Sequence, residues 1–243
     1  MTTSETSLRS RFPWALTIVS VPALALLIGL GVWQVERLQW KEGLIARADA
    51  AAAMAPVLLS DLPPGPDREF RQVIVDCPGL GTAPFVELQS ILDGEAGVRL
   101  ISACPEPAAP GRPGGGVLMV DRGFVAEDVS ARPPVTRDTG PLRIVAVIRT
   151  TSKPGLMALP PEGKHFYARD NAAMARALGV SSLAGSETLY AATSTNPEWP
   201  ALRPSVPPVA FANNHLGYAL TWFGLALALI GFYIALVRRK LKS

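Results

Sequence analysis

The sequence has few of the side chains on which most enzyme and metal sites depend. Among its 243 residues there are two histidines, His165 and His215, and two cysteines, Cys77 and Cys104. A histidine-based catalytic triad or a multi-histidine metal site is hard to assemble from so small a set. The spacings CxxC and CxxCH and the Cys/His spacing of zinc sites are absent, so covalent haem attachment, a thioredoxin-like role and a zinc role have no support.

Other motifs of catalysis are missing as well. The sequence has no GxSxG elbow, P-loop, HExxH or dinucleotide fingerprint, so we predict that the chain is not an enzyme. Glycines 114–116 precede a strand pattern rather than a helix, which favours a turn over a phosphate cradle. The net charge of +3 is modest and no basic stripe is interleaved with aromatics, so nucleic-acid binding is not predicted.

Charge is absent from two long stretches near the ends of the chain. One runs from His215 to Val237 and the other from Pro13 to Gln34. A helix needs about 20 apolar residues to cross the hydrocarbon layer of a bilayer, and membrane helices tolerate Pro22 and glycine. Both stretches are therefore predicted to be transmembrane helices.

The first stretch has an alternative interpretation as a cleaved signal peptide. Arg9 and Arg11 precede it, and an alanine-rich segment, residues 50–55, follows. The apolar run is longer than the usual core of a signal peptide, however, and the alanines come well after its end. These two features favour an uncleaved anchor.

Basic residues near the spans predict the orientation. The C-terminal tail carries Arg238, Arg239, Lys240 and Lys242, whereas Arg203 alone lies shortly before the second span. Because Lys and Arg are retained on the cytoplasmic side, both termini are predicted to be cytoplasmic in an inner membrane, with the middle of the chain periplasmic. The predicted organisation is a cytoplasmic N-terminus at 1–12, helices at 13–35 and 216–237, a periplasmic domain at 36–207, a linker and helix entry at 208–215 and a cytoplasmic tail at 238–243.

Short strand patterns divided by proline and glycine fill the middle of the chain. They predict a mostly antiparallel sheet that curls toward a barrel, so the fold class is a membrane α+β protein. One short helix is predicted, with Asp170 as its cap and Gly179 at its end. The proline-rich stretches 104–113 and 197–208 are interpreted as a surface loop and a linker. The predicted strands are Gln72–Asp76, Phe85–Leu88, Val98–Ala103, Val117–Asp121, Leu142–Thr150 and Thr188–Ala192.

The two cysteines lie in the domain that is predicted to be periplasmic. In an oxidising compartment they can form a disulfide, which would contribute about 3–4 kcal/mol on the chain-entropy model. Two unpaired thiols are the alternative, and the sequence leaves both open.

Aromatic and polar residues collect where the spans meet the domain. Trp33, Arg37 and Trp40 share one helix face, and His215, Tyr218 and Trp222 share another. The aromatic residues are also typical of the anchors found at membrane boundaries, and Arg37 can alternatively reach lipid phosphate or pair with a nearby carboxylate.

Four segments of the sequence resemble the surfeit-locus proteins, known in yeast as Shy proteins, which assist assembly of cytochrome c oxidase. The segments are LGVWQVERLQWKEGLI at 30–45, VLMVDRGFVAED at 117–128, KHFYARDNAAMARALG at 164–179 and NNHLGYALTWFGLALALIGFY at 213–233. They occur in the family's order and span nearly the whole chain. Two positions depart from the family pattern, Phe124, where tryptophan is expected, and Asp121, where asparagine is common.

The resemblance implies a non-enzymatic chaperone that helps insert haem a into the catalytic oxidase subunit. His215 would bind the haem iron transiently, since imidazole is a common axial ligand. Tyr218, Trp222 and Trp33 would pack against the porphyrin, and Arg37, with Lys41 and Arg122 as further candidates, would pair with the propionates. The implied partners are oxidase subunit I, haem a synthase and the bilayer.

Two other functions remain open from the sequence. One is a scaffold that stabilises an oxidase assembly intermediate without binding haem. The other is an unrelated two-span receptor, which the short predicted cytoplasmic segments disfavour because they leave no room for a signalling domain.

Overall fold

The computed structural model describes residues 12–63, 65–106, 116–207 and 213–242. The chain divides into two compact units, Met1–Ala46 with Val209–Ser243, and Arg47–Pro208. Three predicted segments lie wholly or largely outside the described residues. They are the N-terminal segment 1–12 apart from Phe12, most of the linker 208–215 and the larger part of the proline-rich loop 104–113. The helices are α1 (Trp14–Ala52), α2 (Asn171–Ala177) and α3 (His215–Lys242), and the strands are β1 (Val57–Leu58), β2 (Gln72–Asp76), β3 (Phe85–Leu92), β4 (Glu95–Pro105), β5 (Val117–Ala126), β6 (Arg143–Thr150), β7 (His165–Phe166) and β8 (Leu183–Ala191).

The two terminal helices have the length and composition of membrane spans. Helix α1 has 39 residues and α3 has 28, and the apolar part of each is almost entirely exposed. At 1.5 Å per residue, α1 is about 58 Å long, roughly twice the hydrocarbon thickness of a bilayer. It continues through Pro22 and past the apolar stretch, because residues 36–52 are rich in good helix formers.

The middle of the chain forms one mixed sheet of eight strands in the order β1-β2-β6-β8-β5-β4-β3-β7. The pairs β2–β6, β6–β8, β4–β5 and β3–β4 are antiparallel, and β1–β2, β5–β8 and β3–β7 are parallel. The six predicted strands are present. The predicted curl toward a barrel is not completed in the described residues, because the two-residue strands β1 and β7 leave two sheet edges.

Both faces of the sheet are covered. In β5, Leu118 and Val120 contribute to a core with residues of β2, β6 and β8, while Met119 contributes to a core on the other face. Helix α2 covers that second face with Met174 and Ala175. The predicted cap of this helix is confirmed, since Asp170 accepts a hydrogen bond from the backbone N–H of Ala173 at 3.0 Å.

The two cysteines form a disulfide. The Cα atoms of Cys77 and Cys104 are 5.5 Å apart, and the bond closes a loop over 27 positions of sequence. Both side chains are buried in the core that contains Leu118 and Val120. The disulfide alternative of the sequence analysis is therefore the one realised.

The proline-rich stretch 197–208 was predicted to be a linker, but its described part 197–207, here called the strap, packs on the domain. Arg203 and Phe124 exchange two backbone hydrogen bonds of 2.8 Å, and Leu202 is buried. Gly123 lies opposite the Arg203 carbonyl with φ of 135°, and a Cβ at this position would come within 2.4 Å of that oxygen. A glycine is therefore required where the strap meets β5.

Candidate functional site

Helices α1 and α3 run antiparallel and touch at three levels. Thr17 Oγ1 lies 2.8 Å from Tyr233 Oη near the start of α1. Further along, a Cβ at Gly31 would lie 2.5 Å from the ring of Phe223, so the glycine lets the helices approach closely. The third level is formed by Gln34 of α1 and the first residue of α3.

That first residue is His215, whose Nδ1 lies 2.7 Å from Oε1 of Gln34. Gln34 is 9% exposed and His215 is half-buried. An amide oxygen only accepts hydrogen bonds, so the imidazole donates from Nδ1 and Nε2 keeps its lone pair. In the neutral form of the ring, this arrangement leaves Nε2 as the nitrogen available to a metal.

The other aromatic residues of the predicted site differ in exposure. Trp222 is half-buried, as expected from its position two helical turns after His215. Tyr218 is 57% exposed and Trp33 is 52% exposed. The structure therefore brings His215 and Gln34 together, while Tyr218 and Trp33 occupy the outer surface of the helix pair.

Arg37 makes a local contact on α1. Its guanidinium carbon lies 4.0 Å from the ring centroid of Trp40, and both side chains are exposed. Stacking on an indole orients the guanidinium plane and leaves its N–H edges available for an anion.

Gln34 is the functional candidate that the sequence analysis missed. The only local signal is an amide at the end of an otherwise apolar helix. Its partner lies 181 positions away in the sequence, so the pairing depends on how the two helices align.

The resemblance segment at 117–128 lies in β5 and carries a buried charge network. Asp121 is fully buried, and its Oδ2 accepts hydrogen bonds from Arg99 Nε at 2.6 Å and Arg169 Nη2 at 2.5 Å. Both guanidinium groups lie over the ring of Tyr190, and burial raises the pKa of that tyrosine. Arg99 also donates to Ser205, which attaches the strap to this network.

Arg122 is also fully buried and holds the fold together rather than facing a ligand. Burial lowers its pKa to about 10, and the charge of Glu198 opposes the shift. It is therefore still charged at neutral pH, and several hydrogen bonds offset the loss of hydration. The acceptors are Gly81 O at 2.7 Å, Asn196 Oδ1 at 2.5 Å, Thr195 Oγ1 at 3.3 Å, Ala83 O at 3.4 Å and Ser102 Oγ at 3.4 Å.

The profile of the SURF1 family matches residues 21–227, which include the helix pair around His215 and the whole sheet. The chain belongs to the SURF1 family. This is the surfeit-locus family identified above by resemblance, whose members assist cytochrome c oxidase assembly.

Individual family members are similar along most of their length. Surfeit locus protein 1 of Homo sapiens is 28% identical over 235 residues, which cover 88% of this chain and 74% of the human protein. Surfeit locus protein 1 of Mus musculus is 29% identical over 237 residues, covering 87% and 71%. A SURF1-like protein of Monosiga brevicollis is 28% identical over 260 residues, covering 93% and 87%.

Proposed function

We propose that this family member is a cytochrome c oxidase assembly factor that carries haem a to the catalytic subunit. In this proposal His215 holds the haem iron through Nε2. The observation that supports it most is the hydrogen bond from His215 Nδ1 to Gln34, which leaves Nε2 as the nitrogen with a free lone pair. The chain acts by binding and release and catalyses no reaction.

The donor set suits haem better than a bare metal ion. In the described residues no group of three or more His, Cys, Asp or Glu side chains is placed to hold a metal ion. A zinc or copper ion needs three or four protein ligands, whereas a porphyrin supplies four nitrogens of its own, so a single histidine would suffice to hold it. A single imidazole also suits a carrier, because few bonds have to break on transfer.

The surroundings suit an apolar macrocycle. His215 opens an apolar helix, with half-buried Trp222 and exposed Tyr218 on the following turns. Trp33 is exposed on α1, beside Gln34 in the sequence. In a bilayer these exposed aromatic surfaces contact lipid or a bound porphyrin rather than water, and we propose that Trp33, Tyr218 and Trp222 contact the ring.

We further propose that both terminal helices cross the inner membrane and that the sheet domain is periplasmic. Basic residues occupy the last turn of α3, Arg239, Lys240 and Lys242, which favours a cytoplasmic C-terminus. The Cys77–Cys104 disulfide is typical of an oxidising compartment. Haem a synthase is then the donor of the cargo and oxidase subunit I the acceptor.

The His215→Ala variant tests iron binding. Wild-type protein purified from cells that make haem a is expected to show a Soret band, and the variant is expected to lose it. The physical reason is that no second imidazole lies in the helix unit, since the other histidine, His165, belongs to the sheet. The measurement is the absorption spectrum at equal protein concentration.

His165→Ala is the matched control for this experiment. His165 contacts Gln89 and Glu87 on β3, so its loss should leave the Soret band unchanged. A colourless wild type would contradict haem carriage and favour the haem-independent scaffold. A His215→Ala protein with the full Soret band would assign the iron to another ligand.

The Arg37→Ala variant tests propionate binding. Haem loss to an apo-haem acceptor is expected to be roughly two- to fivefold faster than in the wild type, the effect of one exposed charge pair. Arg37→Lys should be intermediate, because the charge stays but the planar contact with Trp40 is lost. Arg47→Ala, which removes another exposed arginine of α1, is the control. An unchanged rate for Arg37→Ala would remove this residue from the site.

A further inference from the structure

Gln34 is a buried amide in the interface between two apolar helices. It is 9% exposed, and its Oε1 lies 2.7 Å from Nδ1 of His215. A buried polar group without a partner is costly, so this hydrogen bond stabilises Gln34 and His215 as a pair. On α1, Gln34 lies about one helical turn after Gly31, where the absence of a side chain lets Phe223 approach the helix.

The bond determines which imidazole nitrogen carries the proton. In neutral histidine one ring nitrogen is a donor and the other an acceptor. Because Oε1 accepts at Nδ1, the proton is on Nδ1 and the lone pair is on Nε2. A free histidine side chain in water prefers the opposite tautomer, so the protein selects the form that can bind a metal through Nε2.

We propose that Gln34 is a positioning residue for the His215 ligand. It fixes the tautomer and the ring orientation of His215, and this inference rests on the proposed function. Metal-bound histidines usually donate their second N–H to a carboxylate, carbonyl or water, and loss of that partner costs 10–100-fold in affinity. An amide is a weaker acceptor than a carboxylate, so it orients the ring and adds less basicity to the ligand. That balance suits a site from which the cargo must leave.

The first test needs no haem. Protein labelled with ¹⁵N-histidine and purified through a tag without histidine contains two labelled rings, and the His165→Gln variant identifies the signals of His215. In the wild type, Nδ1 of His215 is expected to be protonated and Nε2 unprotonated. Gln34→Leu is expected to shift the ring toward the Nε2–H form, and Gln34→Glu, which keeps an acceptor oxygen, should retain the wild-type pattern.

The second test is titration of the apo protein in detergent with haem a. Gln34→Leu is expected to bind roughly 10–100-fold more weakly than the wild type, and Gln34→Glu should restore binding. Gln39→Leu is the matched control, since Gln39 is an exposed amide on the same helix. The reduction potential of the bound iron is a further measurement. It is expected to change in Gln34→Leu but not in Gln39→Leu.

The outcomes separate this inference from the proposed function. If the wild type binds no haem, the proposed function fails, and the ¹⁵N spectra still decide the tautomer. If haem binds through His215 but Gln34→Leu keeps the wild-type tautomer, affinity and potential, Gln34 is not a positioning residue. A change of tautomer and affinity in Gln34→Leu that is absent from Gln39→Leu, with the wild-type tautomer kept in Gln34→Glu, supports the inference.

Discussion

Replacing Asp121 with alanine is expected to lower the free energy of unfolding by about 3–5 kcal/mol, because it leaves the buried Arg99 and the half-buried Arg169 without their shared carboxylate. Arg99 and Arg169 both donate to Oδ2 of Asp121, and the backbone N–H of Gly123 donates to Oδ1 at 3.2 Å. The measurement is pulse proteolysis of the full chain in detergent across a urea series.

Asp121→Asn should have a smaller effect than Asp121→Ala. An asparagine keeps an acceptor oxygen for an arginine. The control is Asp76→Ala, whose ion pair with Arg143 is exposed, so the urea midpoint should change little. Equal midpoints for Asp121→Ala and Asp76→Ala would show that the buried network contributes nothing to stability.

Removing the disulfide is expected to lower the free energy of unfolding by about 3–4 kcal/mol on the chain-entropy model. The loop it closes spans 27 positions and joins the end of β2 to the end of β4, and neither half-cystine is exposed. The test compares the wild type with the double variant Cys77→Ala, Cys104→Ala in the same urea series. Alanine is preferred to serine because it adds no buried hydroxyl.

A reducing agent provides the internal control for the disulfide experiment. Reduction should destabilise the wild type to nearly the level of the double variant and should leave that variant unchanged. Mass spectrometry reports whether the two thiols have formed. A fully reduced wild type with an unchanged midpoint would mean that the bond is not a source of stability.

The strands predicted from the sequence are those that are long and apolar at alternate positions. The strands or strand segments that were not predicted depend on pairing with distant residues. Strands β1 and β7 have two residues each and carry no periodicity. The early part of β8, Leu183–Glu187, contains glycine and polar residues and is held by its neighbours on both sides. Asp93 and Gly94 both have positive φ and form the turn between β3 and β4. An Asp-Gly pair is a strong hairpin signal, and placing the turn there would have extended the predicted strand past Leu88.

For the candidate site, the sequence indicated the residues at the helix ends but not their contacts. His215 was found from its position and the family resemblance, whereas its bond to Gln34 depends on the alignment of two helices distant in sequence. Arg122 was a candidate for the propionates because charge is visible in a sequence and burial is not. The strap was predicted to be a linker because a proline-rich composition is typical of linkers. Composition gives no sign of single contacts such as the one between Arg203 and Phe124.

The place of β8 in the sheet has a consequence for biosynthesis. The last strand to be made is inserted between β6 and β5, which do not pair with each other. Without Leu183–Ala191, the strand order of the described residues divides into two groups, β1, β2 and β6 on one side and β3, β4, β5 and β7 on the other. Synthesis of the chain must therefore reach β8 before the sheet can be completed, and until then the edges of β5 and β6 that pair with β8 lack their partner.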